Sequence, residues 1–122
     1  MERETASQTR TISKTHEMND YSRELAHVIR NMEPGERFTG EVCCSPFREM
    51  KNPGEEHGFT EHCSREEAEF WGIYVGTKEK GNACTIFDWV ADFDAEEDGK
   101  VFAEELSAYI KANFELAAGK EF

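Results

Sequence analysis

Six carboxylates lie close together in the second half of the sequence, with no lysine or arginine between them. They are Asp88, Asp92, Asp94, Glu96, Glu97 and Asp98. Such a concentration of negative charge attracts positively charged partners and repels phosphates. The alternative is a solvated surface, in which acidic residues occupy the first turn of a helix because they stabilise the helix dipole there.

Residues 94–105 also match part of the calcium-binding loop of an EF-hand. The matching residues are Asp94 at the first position, Asp98 at the fifth, Gly99 at the sixth and Glu105 at the twelfth. Against this, Glu96 stands at the third position, where a shorter Asp or Asn is usual, and the sequence contains no second loop. An EF-hand requires residues 83–93 to be helical, whereas the abundance of strand-forming residues there favours a hairpin.

Sulfur and nitrogen side chains could supply a tetrahedral zinc site. The candidates are Cys43, Cys44, His57, His62 and Cys63. They include no Cys-x-x-Cys pair, and adjacent ligands chelate one ion poorly, so buried cysteines and exposed histidines are the simpler explanation. No nucleophile signature surrounds the cysteines, and the glycines form no phosphate-binding fingerprint. We therefore expect neither catalysis nor a cofactor.

The whole chain is acidic. Its 122 residues carry a formal net charge of -12, beyond the roughly 2–8 that solubility asks of a small domain. Residues 61–122 hold fifteen acidic and six basic residues, a net of -9. Direct binding to nucleic acid or to an anionic membrane is disfavoured, because both depend on Lys and Arg.

The sequence also bears on location. No stretch approaches the roughly 20 apolar residues of a transmembrane helix, and residues 1–16 are polar, without the apolar region of a signal peptide. The four cysteines include an adjacent pair, which suggests free thiols more than a disulfide framework. We expect a cytoplasmic protein with reduced cysteines.

The first half predicts a helix and a strand. Residues 1–18 lack apolar periodicity and predict a flexible arm, which leaves 19–122 as a single α+β domain. Helical spacing of apolar residues predicts a helix over about 20–32, with Asn19 or Asp20 as its cap. Alternation over 37–43 predicts a short strand.

The middle of the chain predicts little regular structure. Ser45-Pro46 resembles a helix N-cap followed by proline, which predicts a short helical turn through Lys51. Pro53-Gly54 ends that turn. We expect residues 44–64 to form a largely irregular loop.

The second half predicts a hairpin followed by a helix. Aromatic and β-branched residues predict strands over 70–77 and 83–93, joined by a turn at 78–82. Asp94 and Glu97 fit a capping-box variant at the start of the helix. The predicted buried face of this helix is Val101, Phe102, Leu106, Tyr109, Ile110 and Phe114.

The run from Glu69 to Leu106 contains FWGIYVG, WVADFDAEED and VFAEEL. It resembles short proteins of phages and plasmids in which a hairpin ends in a Trp-x-Ala-Asp-Phe-like strand and leads into a helix carrying Phe-Ala-x-x-Leu. The resemblance covers about a third of the chain and implies a hairpin–helix topology and an origin in a mobile element. In size and charge the chain is also similar to small acidic inhibitors of restriction and CRISPR enzymes.

These observations lead to one principal hypothesis. We expect a non-catalytic inhibitor whose acidic surface occupies the basic groove of a nucleic-acid-handling defence enzyme of the host. A metal-binding module, using the calcium-like loop or the Cys/His zinc site, is the alternative. A viral assembly protein that binds through residues 44–64 is a third possibility.

Overall fold

A computed structural model describes residues 20–117, so the predicted arm at 1–18 lies outside the described residues. The two helices are α1 (Ser22–Arg30) and α2 (Glu96–Asn113), and a short 3₁₀ turn spans Arg65–Glu67. The four strands are β1 (Glu36–Met50), β2 (Phe59–His62), β3 (Phe70–Glu79) and β4 (Ile86–Phe93). The α+β prediction is confirmed, with a C-terminal helix packed on an antiparallel sheet.

The strands form one sheet in the order β2-β1-β3-β4. The long strand β1 pairs with β3 along most of its length and with β2 through its last four residues. The β3–β4 pair is the predicted hairpin, with Trp71 opposite Phe93 at one end and Thr77 opposite Ile86 at the other. Strand β4 therefore lies at one edge of the sheet.

Both helices pack on the same face of the sheet and enclose one core. Its buried side chains are Tyr21, Leu25, Val28, Phe38, Ile73, Val75, Val90, Ala103, Leu106 and Ile110. The ring of Tyr21, just before α1, meets Phe102 and Tyr109 of α2 edge-on, at centroid distances of 5.2 and 5.8 Å. Helix α1 contacts the sheet through β4, helix α2 lies across β1, β3 and β4, and Tyr21 links the two helices.

Helix α1 forms where the apolar spacing predicts it, although it is shorter than expected. Tyr21 occupies the N-cap position, and the Asp20 carboxylate accepts a hydrogen bond from the Ser22 backbone N–H at 2.9 Å. Asp20 thus satisfies one of the free N–H groups at the helix start, as a capping side chain does. The helix ends at Arg30, shortly before Pro34-Gly35.

Two details predicted for the second helix are wrong. It begins at Glu96 with Ala95 in the cap position and no side-chain cap, so Asp94 and Glu97 do not form a capping box. Val101 is 46% exposed and does not belong to the buried face, whereas Ala103 is buried. The buried residues of α2 are Gly99, Ala103, Leu106 and Ile110. The first two are small, and they let the start of the helix approach the sheet closely.

The prediction for residues 44–51 is also wrong. Instead of a helical turn, residues 44–50 continue β1, with Ser45 opposite Gly72 and Phe47 opposite Phe70. The expected loop at 44–64 is therefore a hairpin whose second strand is β2. Pairing with β3, distant in sequence, overrides the local signal of Ser45-Pro46, because a proline is tolerated at strand positions where no N–H is needed.

Candidate functional site

The six carboxylates singled out by sequence do not form one continuous face. Asp94, Glu97 and Asp98 are exposed where β4 leads into α2. Neither an ion pair nor a side-chain hydrogen bond to any of these three is found within residues 20–117. We call them the junction carboxylates.

A β-bulge separates Asp88 from Asp92. In the β3–β4 register Tyr74 pairs with Trp89 and Ile73 with Ala91, so Val90 is an extra residue on β4. A bulge of this kind changes which side of the sheet the following residues occupy. Asp88 therefore lies opposite Val75, whose side chain is on the helix-covered face, whereas Asp92 lies opposite Gly72 and shares the other face with Tyr74.

Glu96 is engaged within the protein. Its carboxylate pairs with Arg65 at 2.8 Å and with Lys100 at 3.2 Å, and its side chain is only 19% exposed. Burial acts to raise the pKa of Glu96, but hydrogen bonds from Lys100 and Arg65 outweigh it and leave that pKa lowered. Glu96 is therefore a structural ion-pair partner that fastens α2 to the 3₁₀ turn.

The Arg65–Glu96 pair brings a second acidic segment to the start of α2. The 3₁₀ turn also carries Glu66 and Glu67, both exposed. Glu67 in turn pairs with Arg48 of β1 at 3.2 Å. Sequence reasoning missed this segment, although its Arg-Glu-Glu run is a visible charge signal, because nothing local indicates that it meets α2.

The face of the sheet away from the helices carries a second feature that sequence reasoning missed. It presents a cluster of aromatic rings beside a carboxylate, and we call this cluster the open face. Its members are Phe47, Phe70, Tyr74, Phe87, Trp89 and Asp92. Arg37 and Lys78, which lie opposite each other, are on the same side of the sheet at the far end of β3. Phe47 lies 5.9 Å from Phe70 and 5.7 Å from Tyr74 between ring centroids.

The open face has a definite geometry at its β4 edge. The Trp89 indole Nε1 donates a hydrogen bond to Asp92 Oδ1 at 2.7 Å, and the Trp89 backbone oxygen lies 2.7 Å from Nε2 of His27 on α1. Burial and, to a lesser extent, the Asp92 charge raise the pKa of Tyr74. An indole, a phenol and a carboxylate are thus held together at this edge.

The metal-binding alternative finds no support in the geometry. Residues 86–93 are extended and residues 96–105 are helical, so residues 94–105 do not adopt an EF-hand loop. Within the described residues 20–117, no three His, Cys, Asp or Glu side chains are grouped so as to hold a metal ion. The five zinc candidates are therefore not assembled into a site.

Cys43 and Cys44 are not activated thiols. Burial raises the pKa of Cys43 and Cys44, with Glu41 and Glu96 acting in the same direction. A raised pKa disfavours the thiolate, which is the nucleophilic and metal-binding form.

No protein family, curated protein or solved structure matches this chain. Neither helix in the range 20–117 is long and apolar enough to cross a bilayer. The junction carboxylates and the open face are therefore the candidate sites.

Proposed function

We propose that this protein is a non-catalytic inhibitor that binds the basic, nucleic-acid-binding groove of a host defence enzyme of the restriction or CRISPR type. The junction carboxylates are its principal contact, and the protein acts in the cytoplasm of the host. The observation that carries the proposal is that Asp94, Glu97 and Asp98 are exposed and pair with no cation in residues 20–117.

The local charge balance supports this proposal. No Lys or Arg occurs from Gly81 to Gly99. The helix N-terminus contributes only about half a positive charge, so three carboxylates beside it leave the junction clearly negative. Glu66 lies on the 3₁₀ turn that the Arg65–Glu96 pair fastens to this region, and it adds negative charge there.

The chemistry of a nucleic-acid groove supports the choice of partner. Duplex DNA carries one negative charge per about 1.7 Å of its axis, and proteins that hold it present Lys and Arg along that path. A fixed set of carboxylates can form ion pairs with the same side chains and block access. Binding of this kind is sensitive to salt, because exposed charges are screened over about 10 Å at 0.1 M ionic strength.

The test is inhibition of DNA cleavage by a panel of restriction enzymes and RNA-guided nucleases. We expect the wild-type chain to inhibit at least one of them, and the Asp94→Lys/Glu97→Lys/Asp98→Lys variant to lose inhibition by more than a hundredfold. The matched control, Glu33→Lys/Glu55→Lys/Glu56→Lys, changes net charge equally at exposed positions outside the junction carboxylates and should retain most of the inhibition.

A second measurement is the dependence of the inhibition on salt. We expect the inhibition constant to rise steeply between about 50 and 200 mM salt, as for contacts that replace phosphates. The proposal is wrong if no enzyme of the panel is inhibited, if both triple variants behave alike, or if salt has no effect.

A further inference from the structure

We propose that the open face is a second contact surface, which binds arginine side chains of a basic segment in a partner protein through Trp89, Tyr74 and Asp92. The inference rests on the proposed function in that both require a cationic partner. It names a different set of residues, on a different face of the sheet.

The open face is not covered by any helix of residues 20–117. The core enclosed by α1 and α2 contains Ile73 and Val75 of β3, which alternate along the strand with Tyr74. Phe70 and Tyr74 each contact Phe47, and none of the three belongs to that core. Both helices therefore lie on one side of the sheet, and the aromatic rings lie on the other.

The rings become more exposed toward β4. Trp89 is 47% exposed and Phe87 is 42% exposed, whereas the chain's other tryptophan, Trp71, is only 7% exposed. Ile86 of β4 is also 48% exposed, but it lies opposite Thr77, on the helix-covered side of the sheet. Exposed apolar side chains grouped on one element indicate a contact surface more than scattered ones do.

The Trp89 ring is preorganised by contacts within the chain. Its Nε1 hydrogen bond to Asp92 fixes the indole, and the His27 ring lies 6.1 Å from it between centroids. A fixed indole loses little conformational entropy on binding, so more of the contact energy contributes to affinity. The same hydrogen bond sets a carboxylate at the edge of the indole.

An indole next to a carboxylate favours one kind of bound side chain. A guanidinium stacks on an aromatic face and forms paired hydrogen bonds with a carboxylate, and tryptophan is the best aromatic partner for a cation. Lysine lacks the planar group and gains less from stacking. Arginine is therefore the side chain that Trp89 and Asp92 together fit best.

Charge complementarity favours a basic segment over the other possible occupants. Edge strands are commonly protected by lysine, yet β4 carries no base, and Asp92 is its carboxylate on the open face. A second copy of this chain would bring another net charge of -12, and nucleic acid would bring phosphates. Both are repelled, whereas an arginine-rich segment is attracted.

The test uses two peptides of equal charge, nona-arginine and nona-lysine, added to the full chain and followed by calorimetry. We expect nona-arginine to bind more tightly. Trp89→Leu, which keeps an apolar side chain but removes the ring, should weaken nona-arginine binding about threefold to tenfold and affect nona-lysine less. Trp89→Phe keeps an aromatic ring but loses the hydrogen bond to Asp92, so its affinity should lie between those of Trp89→Leu and the wild type.

Two further variants separate the contributions. Asp92→Asn keeps an oxygen that can accept the indole hydrogen bond while removing the charge, and it should weaken nona-arginine binding. Val101→Ala, at an exposed apolar position on α2, is the control and should change nothing. The denaturation midpoint of each variant should match the wild type, and NMR shifts of the Trp89 indole report binding at the face independently of stability.

Several outcomes would overturn the inference. Equal affinity of Trp89→Leu and wild type for nona-arginine would show that the face is not used. Equal weakening for both peptides would show that arginine is not selected. A dimer in light scattering that Trp89→Leu dissociates would assign the face to a second copy.

Different experimental results would refute the two proposals. If substitution of the junction carboxylates abolishes enzyme inhibition while Trp89→Leu leaves nona-arginine binding unchanged, only the inference fails. If Trp89→Leu weakens nona-arginine binding selectively while the junction variants inhibit normally, only the proposed function fails.

Discussion

The two faces of the sheet have different coverings and different side chains. The face beneath α1 and α2 carries aliphatic residues such as Ile73 and Val75, which are fully buried. The opposite face carries aromatic rings, of which Phe87 and Trp89 remain exposed. The helix-covered face forms the main hydrophobic core. The open face keeps apolar surface that no other part of residues 20–117 buries. Stability and recognition are therefore expected to respond to substitutions on different faces.

The largest expected difference between the faces is in stability. Leu106→Ala removes a fully buried side chain from the core and should lower the free energy of unfolding by about 2–5 kcal/mol. Phe87→Ala removes a larger side chain that is 42% exposed on the open face. It should cost about 1 kcal/mol, because much of that ring is already in water. Denaturant unfolding of both variants checks this, and equal losses would mean that the open face belongs to the core.

A pair of glycine substitutions sharpens the comparison. A Cβ at Gly99 would lie 2.9 Å from Cys44 Sγ, between α2 and the sheet. Gly99→Ala should therefore destabilise by up to about 2 kcal/mol, since overpacking costs about 1–3 kcal/mol and the gain in helix propensity offsets about 1 kcal/mol. Cys44→Ala in the same chain should relieve the clash.

On the open face, a Cβ at Gly72 would lie 3.0 Å from Tyr74 Cε1 and 3.2 Å from Phe47 Cε2. These rings have one side free of helices and can move apart, so Gly72→Ala should cost less than Gly99→Ala. Thermal unfolding of the two variants compares them directly. A larger cost at Gly72 would indicate that the open face is as tightly packed as the core.

The smallest expected effect is in the ionisation of Tyr74. Burial and the Asp92 charge raise its pKa, so the folded state favours the neutral phenol. The resulting stabilisation is complete below the ordinary tyrosine pKa of about 10 and is lost as pH rises through the folded value. Asp92→Asn should lower the pKa of Tyr74, as measured by an NMR titration of its ring. An unchanged pKa would show that Asp92 does not act on this ring.

The sequence predicted the parts of the fold that depend on local pattern. Spacing of apolar residues located α1, and the aromatic run and turn located the β3–β4 hairpin. It did not predict the continuation of β1 through Ser45-Pro46, because that segment is extended only by its pairing with β3. For the same reason it did not predict that Arg65 would engage Glu96.

The candidate site also depends partly on sequence alone and partly on tertiary structure. The sequence by itself determined that the second half is strongly negative and that no Lys or Arg stands between Gly81 and Gly99, since charge is a property of the residues whatever the fold. Which carboxylates remain available was decided by tertiary structure. One extra residue at Val90 sends Asp88 and Asp92 to opposite faces, and an ion pair engages Glu96. The open face likewise exists only because β1, β3 and β4 bring rings that are distant in sequence to one side of the sheet. Contacts of this kind depend on strand register, which local sequence does not encode.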